Sequence, residues 1–160
     1  MPVESALSEA VCSALRAALL LTGNAASAER VALQAISSLN PQNVTAEALL
    51  DRTIEISIRA GRNSDTAGND LEVDWPDLPI ELRDVLAMKA RLRHCFVLRV
   101  LLGLPEEMCA GLLQLNRGQV AARACAAMNW LVRREKTDPE SRGRIEYQTE
   151  PLDHRSQHSG

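Results

Sequence analysis

GLPEEMCAGLLQLNRGQVAARACAAMNWL, residues 103–131, sets two apolar-periodic segments almost end to end. Gly103 stops one helix, and Pro105 suits the first turn of the next, where its missing N–H costs nothing. Glu106 and Glu107 fall in that first turn, favourable to the helix dipole, and Cys109, Leu112 and Leu113 make the apolar side. The chain turns around Gln114-Leu115-Asn116, and Asn116 is a good N-cap for a helix beginning at Arg117. Val120, Ala124, Ala127 and Leu131 then recur as one stripe of small apolar residues, which lets this helix sit close to its neighbours. Two helices, a short turn, and Arg117, Gln119 and Arg123 at the start of the second helix make a helix-turn-helix pattern. In that geometry the second helix enters a major groove, Gln and Arg reach base edges, and further arginines hold phosphates. The same spacing also suits a helical hairpin that only packs.

The surroundings are all-α in character. Aromatics are 2% of the 160 residues, and the apolar 46% is mostly Leu, Ala, Val and Ile, a composition that favours helices over strands. A first helix is predicted over 3–21, with Leu7, Val11, Leu15 and Ala18 inward, stopped at Thr22-Gly23. Asn24 caps a second helix over 25–39, with Ala28, Val31, Leu33, Ala35 and Ile36 inward, ended by Asn40-Pro41. A third runs from the cap Thr45 to Ala60, with Leu49, Leu50, Ile54, Ile56 and Ile58, and Gly61 follows as its stop. The alternation Ile54-Glu55-Ile56-Ser57-Ile58 makes a short strand the competing reading there. Residues 80–102 return to a helical pattern, a short helix leading into a longer one that carries Arg91, Arg93 and Arg99.

The chain therefore divides into a helical unit at 1–62, an acidic linker at 63–79 in which Trp75 is a docking residue, and a helix-turn-helix unit at 80–136. A polar tail at 137–160 is expected to be disordered. Charge divides the same way. Residues 83–136 hold ten Lys+Arg against four Asp+Glu, whereas residues 1–82 hold five against twelve. That asymmetry suits a basic binding unit joined to an acidic, protein-facing one.

Cys12, Cys95, Cys109 and Cys125 form no CxxC pair and read as reduced, small core residues; no metal or other cofactor is implied. The acids in MPVESALSEA are unlike a secretory leader, and no apolar run reaches the length of a membrane span, so a cytoplasmic location is expected. His94 stands alone on a helix and reads as an exposed residue. No nucleophile–base set or phosphate loop accompanies it, and an enzyme is not expected.

FVLRVLLGLPEEMCAGLLQLNRGQVAARACAAMNWL resembles the C-terminal helix-turn-helix of bacterial sigma factors of the sigma-70 family, the small extracytoplasmic-function type. The resemblance rests on Arg99, Gly103-Leu104, Glu107, Ala110 to Leu113, Gly118, Val120, Arg123, Ala127 and Leu131. LLLTGNAASAERVALQAI, residues 19–36, is similar to the family's segment before and on the helix that holds core RNA polymerase. The resemblance implies a degenerate region-2-like unit followed by a region-4-like one, docking on double-stranded promoter DNA. Arg117, Gln119 and Arg123 would serve readout and phosphate contacts, with Arg91, Arg93 and Arg99 as flanking charge. RNA polymerase core, or a regulatory protein, is the implied protein partner.

Some positions depart from that family. Arg30 stands where it has an acid, Leu33-Gln34 where it has Gln-Glu, Gln114 where glycine is common, and Ala121 where Lys or Ser grips phosphate. With two Trp, one Tyr and one Phe in the chain, strand opening by aromatic stacking is not expected. The alternative function is a helical adaptor, derived from a sigma factor, that binds protein and no longer binds DNA.

Overall fold

The computed structural model describes residues 2–40, 42, 44–63 and 79–137. The readings made for the body of the linker, Trp75 included, and for the tail beyond residue 137 lie outside the described residues. Among the described residues, seven α-helices run in the order α1 (Pro2–Thr22), α2 (Ala25–Ser38), α3 (Ala46–Asn63), α4 (Ile80–Ala87), α5 (Ala90–Phe96), α6 (Glu106–Leu113) and α7 (Arg117–Thr137). Among the described residues no helix is long and apolar enough to cross a membrane.

Local chemistry sets the helix ends. Gly23 adopts φ +72°, the left-handed conformation that glycine takes without a Cβ penalty, and its N–H donates to the Leu19 carbonyl at 2.8 Å. Asn24 then caps α2, its Oδ1 accepting from the Ser27 N–H at 3.0 Å, and Thr45 caps α3 by accepting from the Ala48 N–H at 3.1 Å.

The inward faces of α1 and α2 differ from those predicted. Leu7 and Leu15 are exposed on α1, as are Leu33 and Ile36 on α2. The predicted Ala18, Ala28, Val31 and Ala35 are buried, joined by Ala10, Ala14, Ala17 and Leu21 of α1 and Ala32 of α2, which the prediction left out. Hydrophobicity alone selects the leucine stripe; close approach of backbones selects the alanine stripe. α3 supplies Thr53 and Ser57, both fully buried and themselves small, and the Thr53 hydroxyl donates to its own helix at Leu49 O, 2.7 Å.

α3 is the central helix, which explains its strand-like alternation. At about 100° per residue, Leu49 and Ile56 share one face, and Ile54 and Ile58 share another roughly 170° away. Leu49 and Ile56 pack with α1 and α2, while Ile54 and Ile58 enter the core of the C-terminal helices. A helix buried on two sides reads as alternation when only its isoleucines are counted.

That second core also holds Leu21, Val85, Met88, Phe96, Val97, Leu98, Cys109, Val120 and Ala127. The two units read from the sequence thus pack together over common apolar contacts. α5 runs straight into a π turn, Val97–Leu101, in which the Leu102 N–H reaches back to Val97 O at 2.9 Å. The extra residue re-aims the chain, and Gly103 at φ +66° then sends it into α6.

Cys95 and Cys109 are buried as expected, but Cys12 and Cys125 are exposed. Burial pushes both buried thiols up from the ordinary 9.0, against a smaller opposing pull from Arg123 at Cys95 and from Arg99 at Cys109. A thiol reagent is expected to label Cys12 and Cys125 quickly in the native protein, with Cys95 and Cys109 reacting only on unfolding. Labelling followed by peptide mapping checks this, and rapid labelling of all four would contradict the packing. The linkage has a definite sign. The folded chain keeps thiol protons that the unfolded chain releases, so this stabilisation is complete below about pH 9 and is lost as the pH rises further.

α6 closes with a Schellman motif before the turn into α7. The Leu115 N–H donates to Ala110 O at 2.9 Å and the Gln114 N–H to Gly111 O at 3.4 Å. Gln114 pays a steric cost for this at φ 55°, ψ 46°. Gln114→Gly is expected to raise stability by about 1 kcal/mol, the relief of left-handed strain exceeding the added chain entropy. Chemical denaturation reads the shift, and a destabilised variant would show that the glutamine side chain holds the turn.

Candidate nucleic-acid interface

α7 begins in the open. Arg117, Gly118, Gln119, Ala121 and Ala122 are exposed, while Val120, Ala124 and Ala127 are buried and hold the helix to its neighbours. Asn116 and Gln119 cap the start reciprocally. Asn116 Oδ1 accepts from the Gln119 N–H at 2.8 Å, and Gln119 Oε1 accepts from the Asn116 N–H at 3.0 Å. This holds the leading turn rigid and commits the Gln119 amide oxygen. A bidentate contact to adenine needs both ends of that amide, so in this conformer Gln119 has only its NH2 group to offer.

The arginines named from the sequence separate into different roles. Arg117 pairs with Glu107 of α6, both side chains being more than half exposed. Exposed pairs of this kind are worth about 0–1 kcal/mol, so a phosphate competes readily for Arg117. Arg99 is a strut: its Nη1 donates to Leu104 O at 3.3 Å and its Nη2 lies 3.9 Å from Glu106, tying the loop before α6 to the π turn. Cys109 Sγ–H also donates to Leu104 O, at 3.7 Å.

Arg93 is not a surface charge. It is 6% exposed, and its Nη1 donates to Leu86 O at 3.2 Å and Met88 O at 3.1 Å, closing the end of α4. Burial lowers its pKa. His94, expected to be exposed, is 8% exposed, and its Nε2–H donates to Leu21 O at 2.8 Å, satisfying a carbonyl at the open end of α1. Periodicity could not separate these two from Arg91 on the same helix, because which face turns inward depends on what α1 and α3 present.

Arg91 and Arg123 meet elsewhere. Arg91 is exposed and Arg123 half-buried, and both line a recess of about 150 Å³ together with His94 over Ile58 and Leu113. At about 100° per residue Arg123 lies well round α7 from Gly118, Ala122, Cys125, Ala126 and Asn129, which form the outward face. That face is small and uncharged for three turns, a feature the search for Arg and Gln missed. Arg133 continues it and was also passed over, though the 3.6-residue period beyond Ala122 points to it. Arg134 is engaged with Asp84 of α4 at 2.8 Å and stacks over Trp130 at 5.0 Å. Among the described residues no group of three or more His, Cys, Asp or Glu could hold a metal ion.

No family model, curated protein or solved structure matches this chain.

Proposed function

We propose that this is a sigma-factor-like, DNA-binding transcription protein of the cytoplasm, whose α6–α7 unit docks in the major groove of promoter DNA. The observation that carries the reading is the exposed leading turn of α7, held by its cap and by a buried stripe on the opposite side. Arg117 exchanges Glu107 for a phosphate, and the Gln119 NH2 faces base edges. Gly118, Ala121 and Ala122 let the helix approach closely, with alanine methyl groups against thymine methyls. Arg133 adds a cation further along the same face. So few free cations make binding weak and steeply salt-dependent. RNA polymerase core is the proposed protein partner of the N-terminal unit.

Fluorescence anisotropy of a labelled duplex tests this. Affinity should fall as salt rises, and Arg117→Glu should weaken binding several-fold while the melting temperature holds. Absence of binding at low salt would end the reading.

A second reading, a protein-binding adaptor, is favoured by the exposed apolar side chains of Leu7, Leu15, Leu33 and Ile36 on α1 and α2. Co-purification of polymerase core subunits without any duplex binding would select it.

A further inference from the structure

Gln119 has two hydrogen-bonding ends on its amide, and the fold occupies one of them. Its Oε1 accepts from the Asn116 N–H at 3.0 Å, while its backbone N–H donates to Asn116 Oδ1 at 2.8 Å. Gln119 is the third residue of α7 and Asn116 immediately precedes the helix, so the pair has the form of a capping box. A backbone N–H bonds to an oxygen and not to an NH2 group, so the amide cannot turn over without breaking the box. The Nε2 end makes no hydrogen bond among the described residues and belongs to an exposed side chain in the first turn of the helix.

A glutamine with both ends free pairs with adenine, its oxygen accepting from N6 and its NH2 donating to N7. Gln119 reaches that pairing only by opening the cap, and the lost cap energy comes off the affinity. As a group that only donates, it meets adenine badly, with an amino group beside the one acceptor. Guanine presents O6 and N7, two acceptors side by side, and an NH2 group carries a hydrogen for each. Lysine, also without an acceptor, pairs with guanine for the same reason. The exposed residues around Gln119, namely Gly118, Ala121 and Ala122, have no side-chain acceptor to receive the adenine amino group in its place.

We infer that Gln119 is a specificity residue that selects guanine over adenine in the major groove, because its oxygen is held by the cap of α7. The inference rests on the docking of α7 proposed above. The cap also fixes the amide before contact, so little side-chain freedom is lost on binding.

Selection of bound sequences from a random-sequence duplex pool at low salt, with the full chain and sequencing of the retained duplexes, tests it. A guanine should be enriched at one position. Adenine in place of that guanine should weaken binding of the parent chain at least about fivefold. Gln119→Glu keeps an oxygen for the cap but has no N–H to donate. Its melting temperature should hold, while the base enriched at that position changes from guanine to cytosine, whose N4 amino group a carboxylate accepts. Gln119→Ala should bind the guanine and adenine duplexes about equally, and the ratio, taken within one protein, is insensitive to the lost cap. Adenine enriched by the parent chain overturns the inference, as does a guanine preference that survives in Gln119→Ala or Gln119→Glu. Duplex binding with no base enriched overturns it too, and leaves the docking of α7 on phosphates standing. Failure to bind any duplex removes the docking reading itself, and the inference with it.

Discussion

Arg93→Leu is expected to cost about 3 kcal/mol, a drop of roughly 6–12 °C in melting temperature for a chain of this size. The guanidinium does two things that leucine cannot. Its Nη1 satisfies Leu86 O and Met88 O, carbonyls at the end of α4 that would otherwise be left without this donor. Its flat face lies against Gly23, where an added Cβ would stand 2.8 Å from Nη2, so the end of α1 and the end of α4 are joined through one side chain. Against this stands the cost of burying a charge, with Nε lacking a partner among the described residues. Replacing a poorly compensated buried charge by an apolar group is sometimes neutral or stabilising. Here the two carbonyl contacts and the glycine contact decide the balance. Lysine, which cannot lie flat on Gly23, should recover only part of the loss. A leucine variant as stable as the parent, by thermal and urea melts, would mean that the junction is held by apolar packing alone.

Gly61→Ala should destabilise by about 1–3 kcal/mol, against the usual sign for an α-helix. Alanine normally gains up to about 1 kcal/mol over glycine there. At Gly61 the new methyl group meets His94, 2.9 Å from Cε1 and 3.1 Å from Nε2, and the ring cannot withdraw without giving up its bond to Leu21 O. Gly111 of α6 is the control: nothing lies within 4 Å of a Cβ added there, and Gly111→Ala should stabilise. A double-mutant cycle isolates the contact, since Gly61→Ala in a His94→Ala background should turn favourable. If Gly61→Ala stabilises the parent chain as Gly111→Ala does, α5 is not docked on α3 as described.

Both predictions concern contacts between α1 or α3 and the helices after residue 79, and no local signal reports these. Caps were legible because each is a conversation between neighbours in the chain: Asn24 with Ser27, Thr45 with Ala48, Asn116 with Gln119. The same holds for the helical period of α3, which prevailed over the strand reading. The stop read at Gly61 failed, since α3 continues through it to Asn63. Ala18, Ala28, Val31 and Ala35 were read correctly, but Leu7, Leu15, Leu33 and Ile36 were wrongly added to the inward faces of α1 and α2 because they carry the larger apolar surface. What the fold selected was the alanine side, along which helices can approach.

The candidate interface divides in the same manner. Its leading turn, Arg117 to Ala122, and its buried stripe could be read from spacing. The fates of Arg93, Arg99 and Arg123 could not, since each is settled by a residue or carbonyl supplied from a different turn or helix.

Taken alone, the sequence determined that this chain is all-α in class, which residues cap its second, third and seventh helices, and that two helices joined by a short turn lie in its C-terminal half. Those features depend on backbone hydrogen bonds and caps closed within a few residues. Only the tertiary structure decided which charges face water, because burial of an arginine depends on the carbonyls and the empty space that distant helices bring to it. It also decided that the two units pack as one, through apolar contacts of Ile54, Ile58 and Leu21 with helices that follow much later in the chain.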